Sequence, residues 1–276
     1  MKDPRFALDA KILTLDDGTE LYYCELGEEN EEVIISPAHY FLTWSPVLEG
    51  LAEKYHVFGV IMRFDGPVTQ RNADNSVNWA RQYGDDVYRF AKKMGFEQFH
   101  YLGKCHGTLP GWYLVKEHPE MLKSFSSFFL APHLCPQNSN KFFGTMINEG
   151  VEASTRLSIR HQERVEKKLR EVEALGGSFG NPDVSKYDAS PELIWDSLEE
   201  CEETLKTTEV PICLLFGTDD LLFQDHYDSN VKAMKTINRV RTIILQGERH
   251  LVEMDCPDRL VNECMIFIEE STKNYD

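Results

Sequence analysis

Gly103-Lys104-Cys105-His106-Gly107, directly after the apolar-aromatic run Phe99-His100-Tyr101-Leu102, decides how this chain is read. A strand running into a G-x-C-x-G pentapeptide and then into a helical pattern has the form of a nucleophile elbow. There the chain turns sharply and holds the central side chain strained and exposed above a sheet. The two glycines are expected to let backbone cross backbone without Cβ clashes. The central residue, Cys105, is a thiol where a hydroxyl is usual. Its reactivity depends on its thiolate fraction, which a helix N-terminus and a nearby imidazolium both raise. The competing reading is a buried cysteine in an ordinary strand-to-helix turn, since free cysteine is among the most buried residue types.

On both sides of the elbow, short apolar runs alternate with helical spacing. Asp16-Asp17-Gly18 before the alternating Leu21–Leu26 reads as a hairpin between two opening strands. Val33-Ile34-Ile35 and Val57–Ile61 flank a helical pattern over 46–54, which makes a β-α-β unit and calls for a buried parallel sheet. A helix is predicted over Val77–Met94, capped by Gly95. The strand Gln98–Leu102, the helix Leu109–Glu117 and the strand Leu122–Leu130 follow. Strand patterns resume at Val210–Gly217 and Arg241–Leu245, and a closing helix begins near Pro257. The implied class is α/β, a mostly parallel doubly wound sheet. Between the two strand-rich stretches the chain turns helical and charged. The expected division is therefore a core over 1–135, an inserted helical cap over 136–208, and the rest of the core over 209–276.

Composition narrows the function classes. The chain has 276 residues, is 42% hydrophobic, and carries a formal net charge of −17, a field that repels phosphate backbones and acidic membranes. Neither nucleic acid nor a membrane is an expected partner; a small, partly apolar acyl compound is, and a homodimer is an assembly the sequence leaves open. The seven cysteines are odd in number and form no CxxC pair, so neither a disulfide framework nor a zinc cluster is indicated. Met1-Lys2-Asp3-Pro4-Arg5 opens no apolar signal segment, which points to the cytoplasm. No phosphate loop, metal-ligand spacing or dinucleotide fingerprint occurs, so no metal and no cofactor is expected.

A thiol at an elbow needs a base, and the base an orienting acid. His250 follows the last strand in Gln246-Gly247-Glu248-Arg249-His250-Leu251, and Asp219 and Asp220 follow Phe216-Gly217 at the end of the preceding strand. Carboxyl ends of parallel strands share one edge of a sheet, so Cys105, His250 and one of the two aspartates converge there although distant in sequence. Taken singly, His250 and the aspartates are ordinary loop residues.

In these features the chain resembles the α/β-hydrolase fold superfamily over nearly its whole length. The matching segments are Gly103–Gly107, Val210–Asp220 with its G-x-x-D ending, and Gly247–Leu251 followed by Asp255–Leu260. The order nucleophile, acid, histidine is also that of the superfamily. The resemblance implies acyl-group hydrolysis or transfer, a lid formed by the insertion, and Asp220 over Asp219 as the acid beside Cys105 and His250. A cysteine elbow is similar to those of dienelactone hydrolases and polyhydroxyalkanoate synthases. Two segments depart from the pattern: Ser36-Pro37-Ala38-His39-Tyr40 replaces a His-Gly pair, and Ile61–Pro67 replaces an Asp-x-x-Gly-x-Gly turn. One oxyanion donor is expected at the backbone N–H of His106 and the other at Ala38, His39 or Tyr40. Candidate substrate-side residues are His39, Tyr40, Trp44, Phe142, Phe143 and Met146, with packing as the alternative for Trp44 and the last three. Lys104 reads as a solvated elbow residue. The side chain of His106 is expected to point away from Cys105, because consecutive residues at a helix start diverge.

The expected activity is cofactor-independent hydrolysis of a small, partly apolar ester, lactone or thioester through a thioester intermediate. The alternatives are an acyltransferase, condensing or cyclising enzyme using the same cysteine, a C–C hydrolase or lyase, and a ligand-binding pseudo-hydrolase.

Overall fold

The computed structural model describes residues 8–38, 41–61, 79–130, 132, 151–164, 166–167, 170, 194–225 and 227–273. The described strands are β1 (Lys11–Thr14), β2 (Glu20–Leu26), β3 (Val33–Ala38), β4 (His56–Ile61), β5 (Phe99–Lys104), β6 (Leu122–Phe128), β7 (Ile212–Gly217) and β8 (Val240–Leu245). They form one eight-stranded sheet in the order β1-β2-β4-β3-β5-β6-β7-β8. β1 and β2 are antiparallel, as is β2 with β4, and every later pairing is parallel.

Strand sequences explain why both faces are covered. In β7, Leu214 and Phe216 join one hydrophobic cluster while Cys213 and Leu215 join the other, the period of two expected of a strand buried on both sides. The first face is closed by α2 (Trp79–Met94) and α3 (Thr108–Glu117), through Val87, Phe90, Leu109 and Trp112. The second is closed by α1 (Phe41–Leu51) and the C-terminal helix Pro257–Lys273, through Val47, Leu48, Val261 and Ile268. The sheet is therefore the doubly wound one that the alternation of strands and helices implies.

Boundaries moved by small amounts. The first helix was expected over 46–54 but runs from Phe41 to Leu51 with Pro46 inside it. Trp44, Val47, Leu48 and Leu51 continue the helical spacing through the proline and are all buried, so the packing of that stripe outweighs one missing N–H donor. Trp44 is buried among them, and its indole N–H donates to the buried Ser36 hydroxyl at 2.9 Å, as its packing alternative expects. Much of the proposed cap, 136–208, lies outside the described residues. What is described of it includes α4 (Val151–Ser158) and α5 (Leu198–Thr207). No described helix is long and apolar enough to cross a membrane.

Candidate active site

β5 ends at Lys104, and the chain passes through a 3-10 turn, Cys105–Gly107, into α3. Cys105 has φ of +50, in the left-handed region that costs an L-residue with a Cβ energy to occupy. Two hydrogen bonds and one close backbone approach accompany it. The Thr108 hydroxyl donates to the Cys105 carbonyl at 2.7 Å, the Tyr101 hydroxyl donates to the Gly107 carbonyl at 2.8 Å, and a Cβ on Gly103 would stand 2.2 Å from that same Gly107 carbonyl oxygen. The first glycine therefore permits the crossing. The second does not need to be glycine: a Cβ on Gly107 would meet nothing closer than the Pro37 carbonyl oxygen at 3.5 Å, an ordinary contact. Gly103→Ala is expected to destabilise the protein by about 2–3 kcal/mol as an overpacked crossing, and Gly107→Ala by less than about 1 kcal/mol. Urea unfolding of the two variants checks this asymmetry.

The remaining pieces come from the ends of β7 and β8. Gly217 closes β7 under the histidine loop, where a Cβ would lie 2.3 Å from the Glu248 carbonyl oxygen. Asp219 N–H donates to that carbonyl at 3.0 Å, and Gly247 N–H donates to the Thr218 hydroxyl at 2.8 Å. Zipped together in this way, the two loops present Asp220 to His250, with Asp220 Oδ2 3.1 Å from His250 Nδ1. Asp220 Oδ1 accepts from the Leu222 N–H at 3.0 Å, which fixes the carboxylate plane. Asp219 instead accepts from the Thr218 hydroxyl and does not bond the ring. Of the two aspartates, Asp220 is the one that the structure brings to the histidine.

Cys105 is half-buried and hydrogen-bonded to both His250 and His106, with His106 Nδ1 3.3 Å from Sγ. Burial alone would raise the thiol, but the charges of His106 and His250 and their hydrogen bonds hold it well below the ordinary thiol value. Burial opposes protonation of His250, yet the charges of Asp220 and Cys105 outweigh it and lift the imidazole to about 10. The arrangement favours a thiolate beside an imidazolium. The other described cysteines are moved the opposite way: burial pushes Cys24, Cys201 and Cys264 up to about 12 and Cys256 to about 11. Burial raises Cys213 as well.

Two expectations about the elbow are corrected. His106 turns its ring onto the sulfur rather than away from it. Lys104 is not solvated: its Nζ lies 2.6 Å from both carboxylate oxygens of Glu253, with the two side chains 10% and 2% exposed. The Lys104 ammonium also stands 5.9 Å from the Phe129 ring centre, and that ring meets His250 edge-on at 5.7 Å. Phe129, just past the end of β6, has φ of +64. Nothing in the sequence flagged Glu253 or Phe129.

Ala38 ends β3 beside the elbow, where Pro37 approaches Gly107. His39, Tyr40, Phe142, Phe143 and Met146 lie outside the described residues, as does Cys135. The segment just after α4 docks on the histidine loop. Asp255 accepts the N–H groups of Arg160 and His161 at 2.7 and 2.9 Å, Leu251 N–H donates to Ser158 O at 2.8 Å, and Arg249 reaches Ile159 O at 3.2 Å. Among the described residues, no group of three or more His, Cys, Asp and Glu side chains is placed to hold a metal ion.

No family model and no curated protein sequence matches the chain. Solved structures do. A serine hydrolase from Cycloclasticus zankles superposes with a TM-score of 0.73 at 13% identity, covering 95% of this chain and 98% of that one. An enol-lactonase from Burkholderia xenovorans gives 0.71 at 17% identity, with 94% and 100% covered. A meta-cleavage product hydrolase from Pseudomonas fluorescens gives 0.71 at 16%, with 95% and 98% covered. The eight-stranded sheet, the elbow after β5 and these end-to-end superpositions together make this an α/β-hydrolase fold.

Proposed function

We propose that the chain is a cysteine hydrolase acting on a small ester, lactone or thioester, with Cys105 as nucleophile, His250 as base and Asp220 as the group that orients the histidine. The single observation that carries this reading is the meeting of a left-handed Cys105 with a His250 braced on a buried Asp220. That enzymes of the same fold include an enol-lactonase supports the substrate class. In this reading the insertion over 136–208 is the cap, and Phe142, Phe143, Met146, His39 and Tyr40 are its candidates for substrate contact.

The chemistry follows from the charges. The Cys105 proton resides on His250, so the thiolate adds to the substrate carbonyl carbon while the C=O π pair moves to oxygen. Backbone N–H groups take up that charge, one from His106 and one from Ala38, His39 or Tyr40; losing such a donor commonly costs roughly 10²–10³ in rate. Collapse expels the leaving group, which takes the proton from His250. Neutral His250 then accepts a proton from water as its oxygen attacks the thioester. Expulsion of the thiolate regenerates the ion pair and releases the acid. Asp220 on Nδ1 leaves the other ring nitrogen for these transfers.

Exposure to a panel of activated esters and thioesters, followed by intact-mass measurement and peptide mapping, tests the reading. An acyl mass on the peptide carrying Cys105 is expected; an unmodified Cys105 with turnover continuing would refute it. Release of the acyl group to water rather than to an added alcohol, amine or thiol separates hydrolysis from transfer. The pair also fixes a pH profile. A depressed thiol stays ionised as pH falls, and a raised imidazole stays protonated until about pH 10, so alkylation by iodoacetamide should be flat between those limits. An ordinary thiol would slow about 75-fold between pH 8 and pH 6. Here the change should be under about threefold.

A further inference from the structure

Two imidazoles touch the Cys105 sulfur, and the mechanism above uses the ring of only one. His250 reaches it from the loop after β8, while His106 Nδ1 approaches to 3.3 Å from the next residue along the chain. The left-handed backbone at Cys105, φ +50, takes that residue out of the helical progression that would splay neighbouring side chains, and so brings the two together. Resting on the assignment of Cys105 as nucleophile, we propose that the His106 ring is a second catalytic imidazole, which holds the thiolate through Nδ1 whenever His250 leaves the sulfur to serve the leaving group and the attacking water.

A single histidine has conflicting duties in thioester chemistry. Once the leaving group has taken the His250 proton, that ring must deprotonate water, and in that step it cannot also stabilise sulfur. The thioester then breaks at the C–S bond, with the electron pair returning to sulfur. A donor fixed on the sulfur by its own neighbour stabilises that returning charge without moving. Proton count is unchanged: Nδ1–H donates a hydrogen bond to the thiolate and keeps its proton, and His250 alone shuttles. Among the described residues, the turn and the segments beside it carry, besides His106 and His250 with Asp220 behind it, Tyr101 bonded to the Gly107 carbonyl, Lys104 closed onto Glu253, and Asp219, Glu248 and Arg249, which bond Thr218, Arg160 and the Ile159 carbonyl. The lysine and glutamate pair with each other, and the groups that pull the sulfur toward its charged form are the two rings. The depressed thiol agrees, since the charge of His106 is the first of the influences lowering it.

The test is the pH dependence of Cys105 alkylation by iodoacetamide in the full chain, read by mass at that peptide. His250→Ala is expected to retain rapid labelling near pH 6, within about tenfold of the parent. His250→Ala combined with His106→Phe should label as an ordinary thiol, slower by about 100-fold at that pH. Adding His106→Asn instead of Phe to His250→Ala should restore part of the rate, because its amide places an N–H near the position of Nδ1. On activated esters, His106→Phe alone should lower kcat more than it raises KM. Ordinary thiol behaviour in His250→Ala alone, or fast labelling that survives loss of both rings, would overturn the proposal. Slow, ordinary labelling in the parent would instead remove the hydrolase assignment itself, so the two failures are distinct.

Discussion

Cys105→Ala is expected to lower kcat/KM on any ester the protein hydrolyses by roughly 10⁴-fold or more while leaving its fold and thermal midpoint nearly unchanged. The size follows from the loss of the covalent route as a whole. Without the sulfur, His250 and Asp220 have no nucleophile to serve, and backbone donors alone leave a residual rate of about 10³–10⁴ over water. The fold should survive because the left-handed backbone at 105 is held by the Thr108 and Tyr101 hydroxyls, neither of which touches the sulfur. Cys105→Ser separates chemistry from shape. An alcohol in that place stays protonated, so the thiolate charge that helps lift His250 to about 10 disappears. The His250 pKa should then fall, by an amount NMR titration of the ring can follow, even where the serine retains slight turnover. A scaffold that only binds ligand would lose neither rate nor affinity on either substitution, and full activity in Cys105→Ala would end the catalytic assignment.

Chain positions separated by more than a hundred residues were legible because the fold rule that joins them is simple. Parallel strands put their carboxyl ends on one edge, so Cys105, Asp220 and His250 could be placed together from the order of strand patterns alone, and Asp220 could be favoured over Asp219 from the resemblance. Strand centres such as Ile212–Gly217 were legible for a related reason, since unbroken apolar runs of that length read as strands buried on both faces. The misread side chains are those whose surroundings come from elsewhere in the chain. Lys104 reads as solvated because charge is the only property visible locally; its partner Glu253 arrives on the short helix Val252–Asp255, well beyond the elbow. His106 was misdirected by helical geometry, which the left-handed φ at Cys105 suspends. Trp44 can be read as pocket or core, because its partner, the Ser36 hydroxyl, sits on another element that the local sequence does not show.

Lys104→Met should be the most damaging substitution for stability near the site, costing about 3–5 kcal/mol in urea unfolding. The ammonium is bidentate on a Glu253 carboxylate whose side chain is 2% exposed, so removing it strands a negative charge with little water to solvate it. The loss is a penalty on what remains rather than a measure of the pair's own attraction. Lys104→Met combined with Glu253→Met removes both desolvation costs and fills similar volume, so it should recover to within about 1 kcal/mol of the parent. Activity should follow the same pattern. Glu253 is three residues from His250, and the Lys104 ammonium sits over the ring of Phe129 that in turn meets His250 edge-on. An unpaired carboxylate there shifts the helix that follows the histidine and adds negative potential beside the thiolate, so the single variant should lose rate as well as stability. The double variant should keep Cys105 labelling within about tenfold of the parent, because the charge on the imidazole is set by Asp220 and by the sulfur itself. If the double variant is as unstable as the single, the pair is holding the elbow by shape and hydrogen bonding rather than by mutual neutralisation, and the charge argument for this corner of the site fails.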